Sequence, residues 1–257
     1  MGNVADTFTE RLMRDAGIIP GMSVIDIGCG RGDVSMLTAR LVGEQGHVLG
    51  IDRDGGVIVA ARERARESAL TNVAFEQDDF SVKCAEDESV DAVVGRRVLM
   101  YQPDAIAAIR MLSRVVRPGG LIVFQEHDAT VGPVNLIPMP LHAQVRHWIW
   151  ETVRREGADL HIGFRLAPAM TQAGFRVEQV RAEAVVQTPT QSDPLAQRVR
   201  SMLPRLVRHG VATEAEIDID HLEERLRSER EHANTTYIGE LIFGAWGRKS
   251  QQTAKKP

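Results

Sequence analysis

Ser23-Val24-Ile25-Asp26-Ile27 is a short apolar run, followed at once by Gly28-Cys29-Gly30-Arg31-Gly32-Asp33 and then by a helical stretch from Val34 to Leu41. This is strand, glycine turn, helix. Glycines after a first strand let the backbone come close to a ligand where a Cβ would collide. Working outward, His47-Val48-Leu49-Gly50-Ile51 reads as a second buried strand ending in Asp52, and Val57 to Ala69 as a solvated amphipathic helix. Val73-Ala74-Phe75 leads into Gln77-Asp78-Asp79-Phe80, and Val90 to Val94 is a fourth strand. Ala105 to Val116 is a helix with Ile106, Ile109, Leu112 and Val116 on one stripe, ended by Pro118-Gly119-Gly120 before a fifth strand, Leu121 to Phe124. Strand alternating with helix five times predicts a parallel sheet covered on both faces.

After the fifth strand the rhythm breaks. Residues 129–163 form an insertion with a helix expected from Leu141 to Arg155. The α/β rhythm resumes with a helix over Ala167 to Ala173, closed by Gly174 at its C′ position, and a strand-like run from Phe175 to Val186. A second insertion, residues 188–235, opens on Ser192-Asp193-Pro194, an N-cap with proline at the first helical position. Thr213-x-x-Glu216 and Asp220-x-x-Glu223 have capping-box spacing, and Thr236 to Trp246 alternates as a last strand. The chain reads as a single domain, 1–257, carrying two large insertions.

The composition removes several classes of function. With 43% hydrophobic and 26% charged residues, 257 residues bury a sizeable core without staples, so Cys29 and Cys84 read as free thiols in a reducing cytoplasm. No apolar run approaches the ~18 residues of a membrane span, and the N-terminus has neither the basic nor the apolar region of a signal peptide. The net charge of −4 and the lack of a basic block beyond Lys255-Lys256 leave a nucleic-acid partner without an electrostatic footprint. Arginine outnumbers lysine 27 to 4, which reads as coding bias and not as a binding surface.

Three acidic strand ends carry the chemistry. Asp26 stands two residues before the first glycine, and the spacing is Gly-x-Gly-x-Gly, not the Gly-x-Gly-x-x-Gly register that packs a pyrophosphate on a helix end. A cationic or zwitterionic ligand suits that turn better than a phosphate. This disfavours the alternative of an NAD-dependent oxidoreductase. Asp52 can accept from both hydroxyls of a ribose, Asp78 from an adenine amino group, and Phe80 can flank the ring. All three line the carboxyl edge, where open α/β sheets bind ligands.

Taken together, Val24 to Gly32, Gly50-Ile51-Asp52, Gln77-Asp78-Asp79-Phe80, Asp91-Ala92-Val93-Val94 and Leu112-x-x-Val115-x-Arg117-Pro118-Gly119-Gly120 resemble the class I S-adenosylmethionine-dependent methyltransferases. The likeness is to small-molecule enzymes of the ubiquinone/menaquinone-biosynthesis type. It implies a Rossmann-like seven-stranded, mostly parallel sheet whose last strand is antiparallel and inserts between strands five and six. It also implies S-adenosylmethionine as cofactor and S-adenosylhomocysteine as product. Gly28 and Gly30, with Cys29 between them, would flank the methionine part, Asp52 the ribose, Asp78 and Asp79 the adenine, with Arg53 a further cofactor contact. The backbone near Gly95 and Arg96 would receive the methionine ammonium. Relatives join strands six and seven by a short turn, so the long second insertion is a departure.

Both insertions leave strand ends at the cofactor edge, so they are expected to form a mostly helical lid over the mouth, 129–163 and 188–235. On the helix from Leu141 to Arg155, Leu141, Val145, Trp148, Ile149 and Thr152 share a face, with Trp150 nearly opposite Trp148. Trp150 is then open to the second insertion, a substrate or a homodimer partner. Met100, Trp148 and Trp150 are the expected substrate contacts, in a wall suited to an apolar or aromatic small molecule. His127, at the end of strand five, and Tyr101 are the expected catalytic residues, with His127 a base towards a phenol or amine. Glu126 and Asp128 are alternatives for holding an amine, while His142, His147 and His161 stand further off in the first insertion. Cys29 is a small filler and not a nucleophile, and no metal-site spacing is present. The competing readings are a cofactor-binding protein without turnover and a macromolecular methyltransferase.

Overall fold

The computed structural model describes residues 4–191 and 193–251. Helix α1 (Val4–Ala16) precedes β1 (Ser23–Ile27), α2 (Asp33–Val42), β2 (His47–Asp52), α3 (Gly55–Glu67) and β3 (Val73–Gln77). Then come β4 (Val90–Arg96), α4 (Ala105–Ser113) and β5 (Val116–Asp128). The first insertion supplies the two-residue β6 (Val134–Asn135) and α5 (Pro140–Arg155), before α6 (Ile162–Gln172) and β7 (Phe175–Gln187). The second supplies α7 (Leu195–Arg208), α8 (Glu214–Ile217) and α9 (Leu222–Ala233), and β8 (Tyr237–Lys249) closes the chain.

The long strands lie in the order β3-β2-β1-β4-β5-β8-β7. β1 to β5 pair in parallel, and β8 runs antiparallel between β5 and β7. The expected topology is therefore present, with β6 added beside the start of β8. Side-chain alternation decides which layer each strand residue joins. On β1, Val24 packs with Phe8, Leu12 and Val34 of α1 and α2, whereas Ile25 and Ile27 enter the core on the other face. β5 repeats the division, with Leu121 and Val123 on the first side and Ile122 and Phe124 on the second.

Several boundaries differ from expectation. α4 stops at Ser113, and Pro118-Gly119-Gly120 lies within β5. The β4–β5 register jumps from Val90↔Val116 to Ala92↔Leu121, so these residues form a bulge that accommodates proline inside a central strand. α6 starts at Ile162, five residues before the expected helix, with Pro168 in its interior. The Thr213 to Glu216 capping box is formed, but α9 starts after His221 without a side-chain cap, so Asp220-x-x-Glu223 is not one. Pro194, expected at the first helical position of α7, holds the capping position itself. Asp193 before it turns its carboxylate to Arg146 and Arg198, and Ser192 lies outside the described residues.

The two insertions pack on each other and on the sheet. Val145, Trp148, Ile149 and Val153 of α5 share one buried cluster with Val199, Met202 and Leu206 of α7, Leu222 and Leu226 of α9, and the sheet residues Ile25, Ile27 and Phe124. Among the described residues no helix is long and apolar enough to cross a membrane.

Candidate active site

The glycine turn is built so that its backbone must stay bare. Gly28 has φ +67°, and a Cβ there would stand 2.5 Å from Cγ2 of Val98. Gly30 is also left-handed, φ +53°, but nothing lies within 4 Å of where its Cβ would be. One glycine is excluded from carrying a side chain by packing, the other faces open space where a ligand can approach. Asp52 locks the turn in place: its Oδ2 accepts from Gly30 N at 2.9 Å and its Oδ1 from Asp54 N at 3.0 Å. An ionised carboxylate has about four acceptor positions, so two remain for a pair of hydroxyls.

Asp26 is 1% exposed and accepts from the Ser35 hydroxyl through Oδ2, while Oδ1 is buried without a partner. Burial lifts this carboxyl to about 7, against the pull of Ser35 and Arg96. Glu126, wholly buried, is likewise lifted to about 7 by burial, although Oε1 accepts from Val98 N and Leu99 N. A carboxyl with a raised pKa holds its proton more tightly in the folded state. Its contribution is complete below the unfolded value near 4 and is lost as pH climbs through 7. The cofactor-free protein should therefore lose stability as pH rises from about 4 to about 7, and Asp26→Asn should flatten the slope of urea midpoint against pH over that range. Equal slopes for the two proteins would show that Asp26 is ionised throughout.

Asp78 and Asp79 first organise their own loop. Asp78 accepts from the backbone N of Asp79 and Cys84, and Asp79 from Ser81 N. Burial is the largest single influence on Asp78 and raises it, but the backbone donors together win and hold it below its ordinary value; the Ser81 contacts do the same for Asp79. Arg53 is exposed beside Asp52. Two expected cofactor contacts are corrected. The Cys29 side chain is buried with Met36, Ile58 and Phe75, its backbone N and O bond Ile51 and Gly32, and burial pushes its thiol far up. Phe80 is 9% exposed and packs into the core with Ile27 and Ile51.

Beyond the turn, a cleft opens between β4, β5, α5 and α7. Two cavities of about 360 and 340 Å³ share Arg96, Arg97, His127, Arg198 and Ser201 in their walls. The second is also lined by Gly28, Met100, Tyr101, Trp150 and Met202. Of the expected substrate residues, Met100 and Trp150 line this space. Trp148 does not: on the opposite side of α5 it is 3% exposed within the core.

His127 sits on β5 with Nδ1 2.9 Å from Oε1 of Glu240, on the neighbouring strand β8. Burial is the largest influence on the ring and lowers its pKa, with Glu240 pulling it back up. The neutral ring then carries its proton on Nδ1, towards the carboxylate, leaving Nε2 available to the cleft. Glu240 is held in turn. Burial would raise it, but Arg146, His127 and Arg198 keep it well below the carboxylate range. Arg146 of α5 reaches Glu240 Oε2 and Asp193 Oδ2, both at 2.8 Å, and Arg198 of α7 bridges the same two carboxylates at 3.4 and 3.0 Å. Residues of both insertions thus fix the partner of His127. Glu240, Arg146, Asp193 and Arg198 were not expected. The signal for Glu240 was a charge inside an otherwise apolar last strand.

The remaining acid–base candidates are placed elsewhere. Glu126 holds the 3₁₀ turn Leu99–Tyr101, and Asp128 accepts from Thr130 N and Phe164 N. His142 bonds Glu229 and His161 bonds Thr130. His147 lines a separate cavity of about 350 Å³ with Val131, Leu160 and the far side of Trp150. Among the described residues no group of three His, Cys, Asp or Glu is placed to hold a metal.

A bare glycine turn, strand-end carboxylates and an adjoining cleft at the carboxyl edge define a nucleoside-binding enzyme fold. Residues 18–183, more than half of the chain, match the methyltransferase domain, and the chain belongs to that family. Demethylmenaquinone methyltransferase of Staphylococcus aureus (strain MRSA252) is 32% identical over 125 residues, 49% of this chain and 51% of the relative. The chain thus aligns with about half the length of that curated relative. Among solved structures, a putative methyltransferase from Bacillus halodurans C-125 aligns with TM-score 0.65 at 15% identity, over 95% of this chain and all of the other. Geranyl diphosphate C-methyltransferase from Streptomyces coelicolor A3(2) aligns with TM-score 0.58 at 17% identity, over 94% and 79%. These likenesses carry the fold. The turn, the open face of Gly30 and the orphaned Asp26 oxygen fit S-adenosylmethionine, the cofactor of this class.

Proposed function

We propose that the chain transfers a methyl group from S-adenosylmethionine to a small-molecule acceptor in the cleft, with His127 taking a proton from the acceptor. The observation that carries this reading is the His127–Glu240 pair, which shares one cavity with Gly28. The bound cofactor would supply a methyl carbon made electrophilic by its sulfonium. Gly28 and Gly30 leave room for its methionine part, Asp52 keeps acceptor positions for the ribose, and Asp78 and Asp79 stand where the adenine is expected. Met100, Ile149, Trp150 and Met202 exclude water and orient the acceptor for in-line attack. The insertions 129–163 and 188–235 serve as the cover of the mouth, and their Arg146, Asp193 and Arg198 tie it to the base. Free Cys29 and Cys84 suit the reducing cytoplasm.

Calorimetry tests the cofactor half of this reading. S-adenosylhomocysteine should bind and NAD should not, and Asp52→Ala should weaken S-adenosylhomocysteine by about 1.5–3 kcal/mol, the range for hydrogen bonds to a charged group. Tight NAD binding with no response to S-adenosylhomocysteine would overturn the assignment. An unchanged dissociation constant in Asp52→Ala would remove Asp52 from the ribose site.

A further inference from the structure

Resting on the methyl-transfer reading of the cleft, we infer that the acceptor carries an oxyanion, a carboxylate or phosphate, and that Arg97 binds it. The charges around the cavity do not balance without such a group. Arg146 and Arg198 are matched by Asp193 and Glu240, and Arg205 by Glu156, whose Oε1 is 2.8 Å from Arg205 Nε. The Arg97 guanidinium has no hydrogen-bond or ion-pair partner among the described residues, although its backbone is fixed in the left-handed region, φ +55°, by a bond from its N to Gln125 O. The side chain is exposed at the cleft wall, where Arg96 and Arg198 stand near it as like charges and Glu240 only partly offsets them. Like charges gathered at the mouth of one cleft repel each other, and an anion that joins them relieves this.

The cofactor makes the imbalance larger. Its ammonium and carboxylate cancel, which leaves the sulfonium charge in the same cavity, lined by Gly28. A neutral acceptor would leave that charge and Arg97 unanswered; an anionic one is drawn to both. Guanidinium is the side chain best shaped for carboxylate or phosphate oxygens, and the Tyr101 hydroxyl beside Arg205 adds a donor. Ile149, Trp150, Val153 and Met202 give the same cavity an apolar lining. The acceptor class is therefore an apolar or aromatic acid, which adds a charged end to the apolar molecule expected from the sequence.

The test compares benzoate, phenyl phosphate and benzamide as probes of the S-adenosylhomocysteine-loaded protein, by calorimetry or ligand-observed NMR. At least one anion should bind about 10-fold or more tightly than benzamide, and the stronger of the two identifies carboxylate or phosphate. Arg97→Gln should abolish that preference and Arg97→Lys restore part of it, with S-adenosylhomocysteine affinity unchanged within about twofold. No preference for either anion over benzamide, or a preference that survives Arg97→Gln, would overturn the inference. So would an equal loss of S-adenosylhomocysteine affinity in Arg97→Gln, since Arg97 would then belong to the cofactor's own carboxylate. Failure of the wild type to bind S-adenosylhomocysteine would overturn the methyl-transfer reading beneath it.

Discussion

His127→Ala should lower kcat by roughly 10²–10⁴-fold and leave the dissociation constant of S-adenosylhomocysteine nearly unchanged, the range for loss of a positioned general base. The expectation rests on the order His127, Glu240, Arg146. Burial keeps the imidazole neutral, its Nδ1–H is committed to Glu240, and Nε2 is the remaining basic atom. The sign of the pH effect follows. Because burial lowers the His127 pKa, the wild-type profile of kcat/KM should rise in a limb centred below pH ~6.5, the ordinary value, and His127→Ala should lose that limb. Glu240→Gln removes the charge that pulls the pKa back up, so its limb should move further down. It also releases the tautomer, so kcat should fall even where the ring is fully deprotonated. Retention of most of kcat across pH in His127→Ala would refute the base assignment. Positioning by the cleft walls would then be the main source of rate, as for an acceptor that is already nucleophilic.

The fold was legible because its signals are local. Apolar runs ending in Gly28, Asp52 and Asp78 repeat at strand and helix spacing, and the sheet order follows from that alternation. The cofactor edge was legible for the same reason. The cleft was not, because its residues are brought together only by packing. Glu240 reaches His127 from 113 positions along the chain, and Arg198 and Asp193 reach it from α7 and the residues before it. Composition concealed the rest: among 27 arginines, nothing local separates Arg97, Arg146 and Arg198 from those on the surface. Trp148 shows the converse error. An aromatic at helical spacing was given to the substrate, whereas the cluster formed by α5, α7 and α9 took it as core.

Arg146→Met should destabilise the protein by about 3–5 kcal/mol, because it removes one partner of a buried charge network and keeps the others. Arg146 is 1% exposed, and Glu240 and Asp193 are 1% and 8% exposed. Without it, two buried carboxylates share Arg198 alone, whose bond to Glu240 is the longer one at 3.4 Å. For a chain of this size the change corresponds to a fall in Tm of roughly 6–20 °C. Glu240 would at the same time lose its strongest neighbouring cation, so the carboxyl pKa should rise and His127 should titrate higher than in the wild type wherever Glu240 stays ionised. Stability and the acid limb of kcat/KM are then expected to move together. The fourfold change Arg146→Met, Asp193→Asn, Arg198→Met, Glu240→Gln separates them. Removing the charges as a set spares the desolvation cost, and most of the lost stability should return, while the base remains without its carboxylate and kcat stays low. A single Arg146→Met variant with wild-type Tm would mean that water or Arg198 compensates the pair fully, and the insertions would then have no electrostatic hold on His127.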